Sequence, residues 1–470
     1  MRTKKNTQSE LNFQPSNLEI TNEYYAKYGR ISAILDDNPG IVEAIHNDLD
    51  EALEEAAVED RHGAKFKYTS DTVLRILLCQ IIEGCSLREI VIRVDDSNFL
   101  RFFVRICNGP MIDFTTFCRL KNRIKPQTWK QVNELLARAA VEARLIDGGQ
   151  LRLDTTAVET NIHWPTDSSL LWDTYRTLAR YIERIREIDP VIAGDRRLLI
   201  KKVKKLEQKI ARQASKHSST SATLEPLYIQ LIGLVENIHE WSGDIATALA
   251  HNLARHRYSP LDEATMEFLL REMLHYRVLG EQVIDQARRR LLDKEQVPNQ
   301  EKIFSIFEPH TELLKRGKAA KPIEFGHMIQ IGQVDGKFIT EYEVFETKPV
   351  EYELLEPALE HHERLFGDYP DTVAADKGYY ENMAQIEHLG KKIEVVAIAK
   401  KGKRTEEQTQ RETDPAFRHG QRFRAGVEGT ISFLKRVLGL FRCYNKGWEH
   451  YVATVGATIL AHNLLILARC

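Results

Sequence analysis

Apolar residues at helical spacing predict two short helices early in the chain. Leu74, Leu77 and Ile81 lie three or four residues apart, after a Ser70 that is predicted to cap the helix. The segment Ser-Leu-Arg-Glu at 86–89 has the spacing of a capping box, so a second helix is expected to begin there. Short helices with tight turns suit a helix-turn-helix DNA-binding domain, although the pattern alone favours an ordinary three-helix domain.

A third helix is predicted to begin after Asp113, and its two faces differ in chemistry. Phe117, Leu120 and Ile124 share an apolar face with Phe114. The other face is polar and basic, and it supplies the candidate DNA contacts: Thr115, Thr116, Arg119, Asn122 and Arg123.

The pattern changes near residue 147 to strands that alternate with helices. A strand is predicted at 151–154, and a long helical tract follows over roughly 170–314. The further predicted elements are strands at 327–334 and 338–345 around an Asp335-Gly336 turn, a helix at 351–365, a strand at 372–375 ending at Asp376, a helix near 381–389, a strand at 393–398, and long helices from about Phe423. This order predicts an α/β fold with helices packed on a mixed sheet.

One amphipathic helix with a basic outer face is predicted inside the helical tract. Leu199, Val203, Leu206 and Ile210 are spaced four, three and four residues apart. Nine basic residues surround this stripe: Arg196, Arg197, Lys201, Lys202, Lys204, Lys205, Lys209, Arg212 and Lys216. The pattern leaves open whether this face contacts DNA or only water.

Composition adds a local charge asymmetry to this picture. The 470 residues are 43% hydrophobic, which suggests two to four domains, and the formal net charge is only −2. Residues 41–60 contain eight acids and no Lys or Arg, whereas residues 391–446 contain fourteen Lys and Arg against six acids, a balance of 14 − 6 = +8. A concentrated basic segment can hold a phosphate backbone, and a solvated charged face is an equally good interpretation.

Cysteine usage and hydropathy favour a cytoplasmic protein without a membrane partner. None of the six cysteines forms a C-x-x-C pair, which favours reduced thiols over a zinc site or disulfides. The basic N-terminus has no apolar stretch after it, so no signal peptide is expected. Residues 451–468 lack Asp, Glu, Lys and Arg, but His462 and Asn463 favour a core helix over a membrane span.

Three carboxylates occupy positions suited to metal chemistry. Asp154 and Asp376 are each predicted to end a strand, and Glu428 lies on a later helix. If the two strands are neighbours, both aspartates emerge at one sheet edge, where they would repel each other without a cation. Two Mg²⁺ or Mn²⁺ ions about 4 Å apart would serve phosphodiester cleavage and strand transfer. Either aspartate alone would more often be a cap or turn residue.

The surroundings of Glu428 strengthen this hypothesis. Arg424 precedes it by four residues and Lys435 follows it by seven, so all three share one helix stripe. We expect Lys435 to hold a phosphate near the cleavage point and Arg424 to orient Glu428 or the strand. The alternative is ordinary ion pairing along a helix surface.

At these residues the sequence resembles the DDE transposases of bacterial insertion sequences. Their helix signature is Tyr, Arg, Glu and Lys at the spacing of Gln421, Arg424, Glu428 and Lys435, so the Tyr position departs from the family. Further resemblance lies in segments 74–124, 153–156, 161–171, 324–327 and 375–379, and it covers about residues 68–469 in the family's order.

The resemblance implies an RNase H-like catalytic core, with Asp154, Asp376 and Glu428 as ligands of two Mg²⁺ or Mn²⁺ ions. It implies binding of the element's terminal inverted repeats, assembly of at least a homodimer on double-stranded DNA, a DNA contact by Lys377, and association with the bacterial nucleoid when bound. The expected domains are a polar, acidic segment with little pattern (1–65), a helix-turn-helix-like DNA-binding domain (66–146), the catalytic core (147–174 and 322–470) and a helical insertion (175–321).

Two other functions remain as alternatives at this point. One is an inactive, transposase-derived DNA-binding regulator, against which the presence of all three acids, Arg424 and Lys435 argues. The other is an RNase H-like, structure-specific DNA nuclease that cuts without joining strands.

Overall fold

Two units make up the part of the chain that the computed structural model describes, which is residue 4 and residues 16–59, 68–216, 221–315 and 322–469, without the side chains of 51–59 and 221. The first unit combines Met1–Thr160 with Gly326–Cys470, and the second is Asn161–Phe325. The helical insertion predicted at 175–321 falls within the second unit.

Helices form the amino-terminal half of the first unit. They are α1 (Glu19–Asp37), α2 (Pro39–Glu59), α3 (Ser70–Ile82), α4 (Leu87–Asp96), α5 (Asn98–Phe103), α6 (Phe114–Lys121) and α7 (Pro126–Glu142). The expectation of little pattern before residue 65 is wrong for α1 and α2. Tyr28, Ile31 and Leu35 are buried at helical spacing on α1, and Ile41 and Ile45 of α2 join the same core.

Local capping sets the starts of three of these helices. The capping box of Ser86 and Glu89 is confirmed, with hydrogen bonds of 2.8 and 3.3 Å. Asp113 caps α6 as predicted by accepting from two backbone N–H groups. The cap of α3 is Thr69 rather than Ser70, since the Thr69 hydroxyl accepts from the N–H of Thr72.

The second unit is mainly helical. Its helices are α8 (Asp167–Ile188), α9 (Pro190–Ala193), α10 (Ile200–Ala214), α11 (Ser221–Leu253) and α12 (Pro260–Leu291). The predicted amphipathic helix is confirmed in α10, which buries Val203, Leu206 and Ile210. These side chains join one core with residues of α8, α11 and α12.

A mixed sheet confirms the predicted α/β class. Its seven strands in the described residues are β1 (Gln150–Thr160), β2 (Glu312–Lys315), β3 (Ile323–Val334), β4 (Ile339–Val344), β5 (Thr372–Ala375), β6 (Val395–Ile398) and β7 (Arg442–Cys443). The order is β2-β3-β1-β5-β6, with β4 also on β3 and β7 on β1. β3 is antiparallel to β1 and β4, whereas β5 is parallel to β1 and β6.

The remaining helices pack on both faces of this sheet. They are α13 (Leu355–Phe366), α14 (Met383–Leu389), α15 (Glu406–Thr413), α16 (Pro415–Arg436) and α17 (Trp448–Leu467). Leu151 and Leu153 of β1 belong to one core together with Leu355 of α13 and Ile386 of α14. Arg152 points to the other face, where its guanidinium donates to the Phe423 carbonyl of α16 at 2.8 Å.

Helix α17 is largely enclosed by the protein. Among the described residues it is the one helix long and apolar enough to cross a membrane, and 72% of its apolar window is buried. Its Asn463 is buried and bonds both backbone groups of Ile339 in β4 at 2.8 and 2.9 Å. These two bonds satisfy polar groups that would otherwise be unpaired in the core.

A buried ion network connects the amino-terminal helices. Arg75 and Asp71 of α3 pair at 2.8 Å and are fully buried. Arg105, just after α5, pairs with Asp71 at 2.7 Å and with Asp36 of α1. Because Arg75, Asp71 and Arg105 lie almost entirely out of water, each depends on its partners for stabilisation.

We expect Arg75→Met to lower the free energy of unfolding by roughly 3 kcal/mol or more, because it removes one of the two cations paired with buried Asp71. The control is Arg93→Met, which removes a guanidinium that is 55% exposed and 3.3 Å from Glu83, and should cost below about 1 kcal/mol. Urea unfolding followed by circular dichroism measures both. Equal losses in the two variants would contradict a structural role for the network.

Candidate active site

Asp154 and Asp376 lie next to each other on neighbouring parallel strands. Leu153 of β1 is paired with Ala375 of β5, and each aspartate is the next residue in the sequence. The expected adjacency of these two strands is therefore confirmed. Asp376 directly follows β5 as predicted, but the prediction that Asp154 ends its strand is wrong, because β1 continues to Thr160. Since adjacent strands are about 4.8 Å apart, the sheet brings two carboxylate-bearing positions together where β5 ends, hereafter the sheet edge.

Each aspartate also accepts a hydrogen bond from nearby backbone. Asp154 Oδ1 accepts from the N–H of Thr155 at 2.8 Å. Asp376 caps a 3₁₀ turn at Lys377–Tyr379, where its Oδ1 accepts from the Gly378 N–H at 2.6 Å. Both residues are half-buried, so the carboxylates are held in place while remaining accessible.

Glu351 is a third acid at this edge that the sequence did not single out. It begins a 3₁₀ turn at Glu351–Leu354, and its Oε1 accepts from the Thr155 hydroxyl at 2.7 Å. A Cβ atom on Gly378 would overlap Glu351 Oε2, so the close approach requires glycine there. Glu351 thus contacts the residue after Asp154 and the turn that Asp376 caps. Its position in a predicted helix carried no signal for this long-range contact.

The three carboxylates all affect the pKa of the buried Tyr379 hydroxyl. Burial raises the pKa of Tyr379 well above its usual value, and the negative charges of Asp154, Glu351 and Asp376 raise it further. The side chain of Gln330 opposes this by donating to the tyrosine oxygen at 3.3 Å. The phenol therefore stays protonated beside the three carboxylates.

The structure does not bring Glu428 into this group. The Glu428 side chain is 69% exposed, and its Oε1 lies 3.6 Å from Arg424 on the same helix. In the ranges that the structure describes, no group of three His, Cys, Asp or Glu side chains is arranged to hold a metal ion. Asp154 and Asp376 are thus adjacent, whereas Glu428 is engaged with a cation.

Other residues of the helix signature fasten α16 to the sheet. Gln421, at the family's Tyr position, donates from Nε2 to the carbonyls of Ala375 and Ala397 at the ends of β5 and β6. Lys435 Nζ donates to the Ala157 carbonyl of β1 at 2.6 Å. Both contacts fix the helix that carries Glu428 relative to the strands that carry the aspartates.

The candidate DNA contacts on and after α6 are partly exposed. Thr115 and Arg119 are exposed, and Thr116, Asn122 and Arg123 are half-buried. Helix α6 ends at Lys121, so Asn122 is its C-cap and Arg123 follows the helix rather than lying on the predicted third helix. Lys377 is exposed directly beside Asp376.

Two carboxylates on adjacent strands suit a divalent cation. Mg²⁺ typically takes one or two protein carboxylates and completes its coordination with water and phosphate oxygens. Asp154 and Asp376 supply such a pair, and the additional charge of Glu351 favours a cation over an anion at this edge. The donor set therefore fits an Mg²⁺ or Mn²⁺ ion through these two aspartates.

We expect Gly378→Ala to lower the free energy of unfolding by about 1–3 kcal/mol, because the new methyl group displaces Glu351 from its bond with Thr155. The control is Gly429→Ala on α16, where a Cβ meets nothing within 4 Å. This variant should gain about 0.5–1 kcal/mol from higher helix propensity. Urea unfolding measures both, and shifts of the same sign would refute the contact.

No protein-family model, curated protein or solved structure matches this chain. The geometry of the site and the motifs in the sequence therefore carry the functional argument.

Proposed function

We propose that this chain is a DDE-type transposase that cleaves DNA at the ends of an insertion sequence and joins those ends to target DNA. The observation that carries the proposal is the adjacency of Asp154 and Asp376, after the paired residues Leu153 and Ala375. A helix with the Arg424, Glu428 and Lys435 spacing packs on the same sheet.

The sheet topology supports an RNase H-like catalytic core. Strands β4, β3 and β1 form an antiparallel group, and β5 and β6 extend it in parallel with β1. The short helices α3 to α6, with two exposed residues of α6 at the surface, support a helix-turn-helix-like DNA-binding domain. Double-stranded DNA ends would be the substrate, with at least a homodimer assembled on two of them.

Asp154 and Asp376 would hold the divalent ions in this proposal. Bound Mg²⁺ or Mn²⁺ supplies activation of water or a 3′-hydroxyl and stabilisation of the leaving oxygen. The two aspartates orient the site, because backbone N–H groups fix one oxygen of each carboxylate. To join the two aspartates, Glu428 would have to leave its 3.6 Å contact with Arg424 and turn towards them.

Lys435 takes a different role in this arrangement from the one that the spacing suggested, whereas Arg424 keeps its expected role. Lys435 holds α16 to β1 through the Ala157 carbonyl, so its first role is to position the helix. Arg424 pairs with Glu428 and thereby controls where that carboxylate points. DNA phosphates would compete with Glu428 for Arg424, which would release the carboxylate towards the aspartates.

An inactive DNA-binding regulator derived from such an enzyme is the second candidate. It is favoured by the separation of Glu428 from the aspartates, since no three-acid metal group occurs in the described part of the chain. Cleavage by the wild-type protein would exclude this candidate.

We expect Asp154→Asn, Asp376→Asn and Glu428→Gln each to reduce Mg²⁺-dependent cleavage by roughly 10²–10³-fold or more, because each removes charge needed at the cleavage site. The substrate is DNA that flanks the gene, and products are sized on a gel. Asp335→Asn is the matched control, since Asp335 directly follows β3 as Asp376 follows β5, and it accepts from the next backbone N–H at 2.8 Å as Asp154 does.

Retention of full cleavage by any of the three variants would refute its assigned role. A wild-type protein that cuts this DNA but never joins pre-cut ends to target DNA would be a nuclease rather than a transposase. Binding without any cutting would favour the regulator.

We expect Arg119→Ala and Arg123→Ala each to weaken binding to end DNA by about 1–3 kcal/mol if they contact bases. Fluorescence anisotropy with labelled duplexes measures the affinity without divalent metal. Arg138→Ala on α7 is the control, because Arg138 is exposed but pairs with Glu134 at 2.9 Å. Unchanged affinity in both test variants would mean that the DNA-recognition surface lies elsewhere on the protein.

A further inference from the structure

Helix α10 carries a row of cations along one side. Lys201, Lys205, Lys209 and Arg212 are spaced four, four and three residues apart, so they form one stripe, hereafter the basic stripe. Each of the four is exposed. The surrounding segment 196–216 contains nine basic residues and one acid, a balance of 9 − 1 = +8. This is a dense positive surface on a single helix.

Packing fixes the direction in which the basic stripe faces. Val203, Leu206 and Ile210 lie on the opposite side of α10 and are buried in the core of the second unit. Because those three side chains hold the helix against α8 and α11, rotation of α10 would expose them. The basic stripe is therefore held at the surface.

The basic stripe lacks internal counter-charges, unlike other helices of the same unit. In the described parts of the second unit, none of the nine basic residues of 196–216 lies within ion-pair distance of a carboxylate. By contrast, the three arginines in the last turn of α12 are all paired: Arg288 with Glu236, Arg289 with Glu295 and Arg290 with Asp167. Like charges four residues apart destabilise a helix, so this arrangement would not stabilise α10 if it faced only water.

Glu207, the single acid of the segment, does not neutralise the basic stripe. It is half-buried, and its pKa is raised by burial and by the charge of Asp173 on α8. It therefore lies on the flank towards the protein rather than between the exposed cations.

We propose that the basic stripe of α10 binds the phosphate backbone of double-stranded DNA, through residues other than those of the candidate active site and of α6. A helix of fifteen residues is about 22 Å long, which matches roughly six base pairs of duplex. Rigidly presented, unpaired cations release condensed counterions on binding, and this provides affinity without base recognition. The choice of DNA over other polyanions rests on the proposed function.

The test measures the salt dependence of binding to a mixed-sequence duplex by fluorescence anisotropy, with EDTA present and the full chain used. The neutral variant combines Lys201→Gln, Lys205→Gln, Lys209→Gln and Arg212→Gln. The matched control keeps every charge with Lys201→Arg, Lys205→Arg, Lys209→Arg and Arg212→Lys. The slope of the logarithm of the association constant against the logarithm of salt concentration is negative. We expect its magnitude to decrease by up to about 3.6 in the neutral variant and to remain unchanged in the control.

An unchanged slope in the neutral variant, while the wild type binds DNA, would overturn this inference and leave the proposed function standing. An equal fall in the charge-keeping control would also overturn it, because the effect would not be electrostatic. A charge-dependent loss for anionic phospholipid vesicles with none for duplex DNA would overturn it in favour of a membrane surface. If the neutral variant shows a smaller salt dependence but the wild-type protein never cleaves DNA, the result would support DNA binding by the basic stripe and contradict the proposed transposase activity.

Discussion

Backbone hydrogen bonds between β1 and β5 set Leu153 opposite Ala375, and this register places Asp154 beside Asp376. A shift by one residue would turn one aspartate to the other face of the sheet, because side chains alternate along a strand. The buried Ala374 and Val373 keep the register fixed by packing on both faces of β5. The cost is a concentration of negative charge, which Glu351 increases, and a divalent cation is the partner that best offsets it.

The second constraint is the attachment of α16 to that sheet. Gln421 bonds the carbonyls of Ala375 in β5 and Ala397 in β6, and Lys435 bonds the Ala157 carbonyl of β1. These contacts leave Glu428 on the exposed side, paired with Arg424. A helix signature can therefore combine two tasks, since some of its residues position the helix and others are available for chemistry.

Two helices of the second unit, α12 and α10, differ in how their cations are paired. The arginines that end α12 are paired with acids of the same unit, and such pairs need no external partner. Helix α10 carries six Lys and Arg against one acid, Glu207, and its apolar side is buried in the core. The two helices differ in composition as well as in pairing, and an exposed helix whose cations lack carboxylate partners in the described part of this unit indicates a polyanionic partner.

Several elements of this fold could be predicted from the sequence, because they depend on interactions between residues that are close together in the chain. The capping box at Ser86, the cap at Asp113, the amphipathic α10 and the β5 strand before Asp376 depend on residues close together in the chain, and all were predicted. Helices α1 and α2 were missed because acidic residues concealed their apolar spacing. Tertiary structure alone decided that Glu351 joins the aspartates, that Lys435 faces the sheet and that Glu428 remains outside. Those outcomes depend on hydrogen bonds between residues up to 278 positions apart, whose geometry no local pattern encodes.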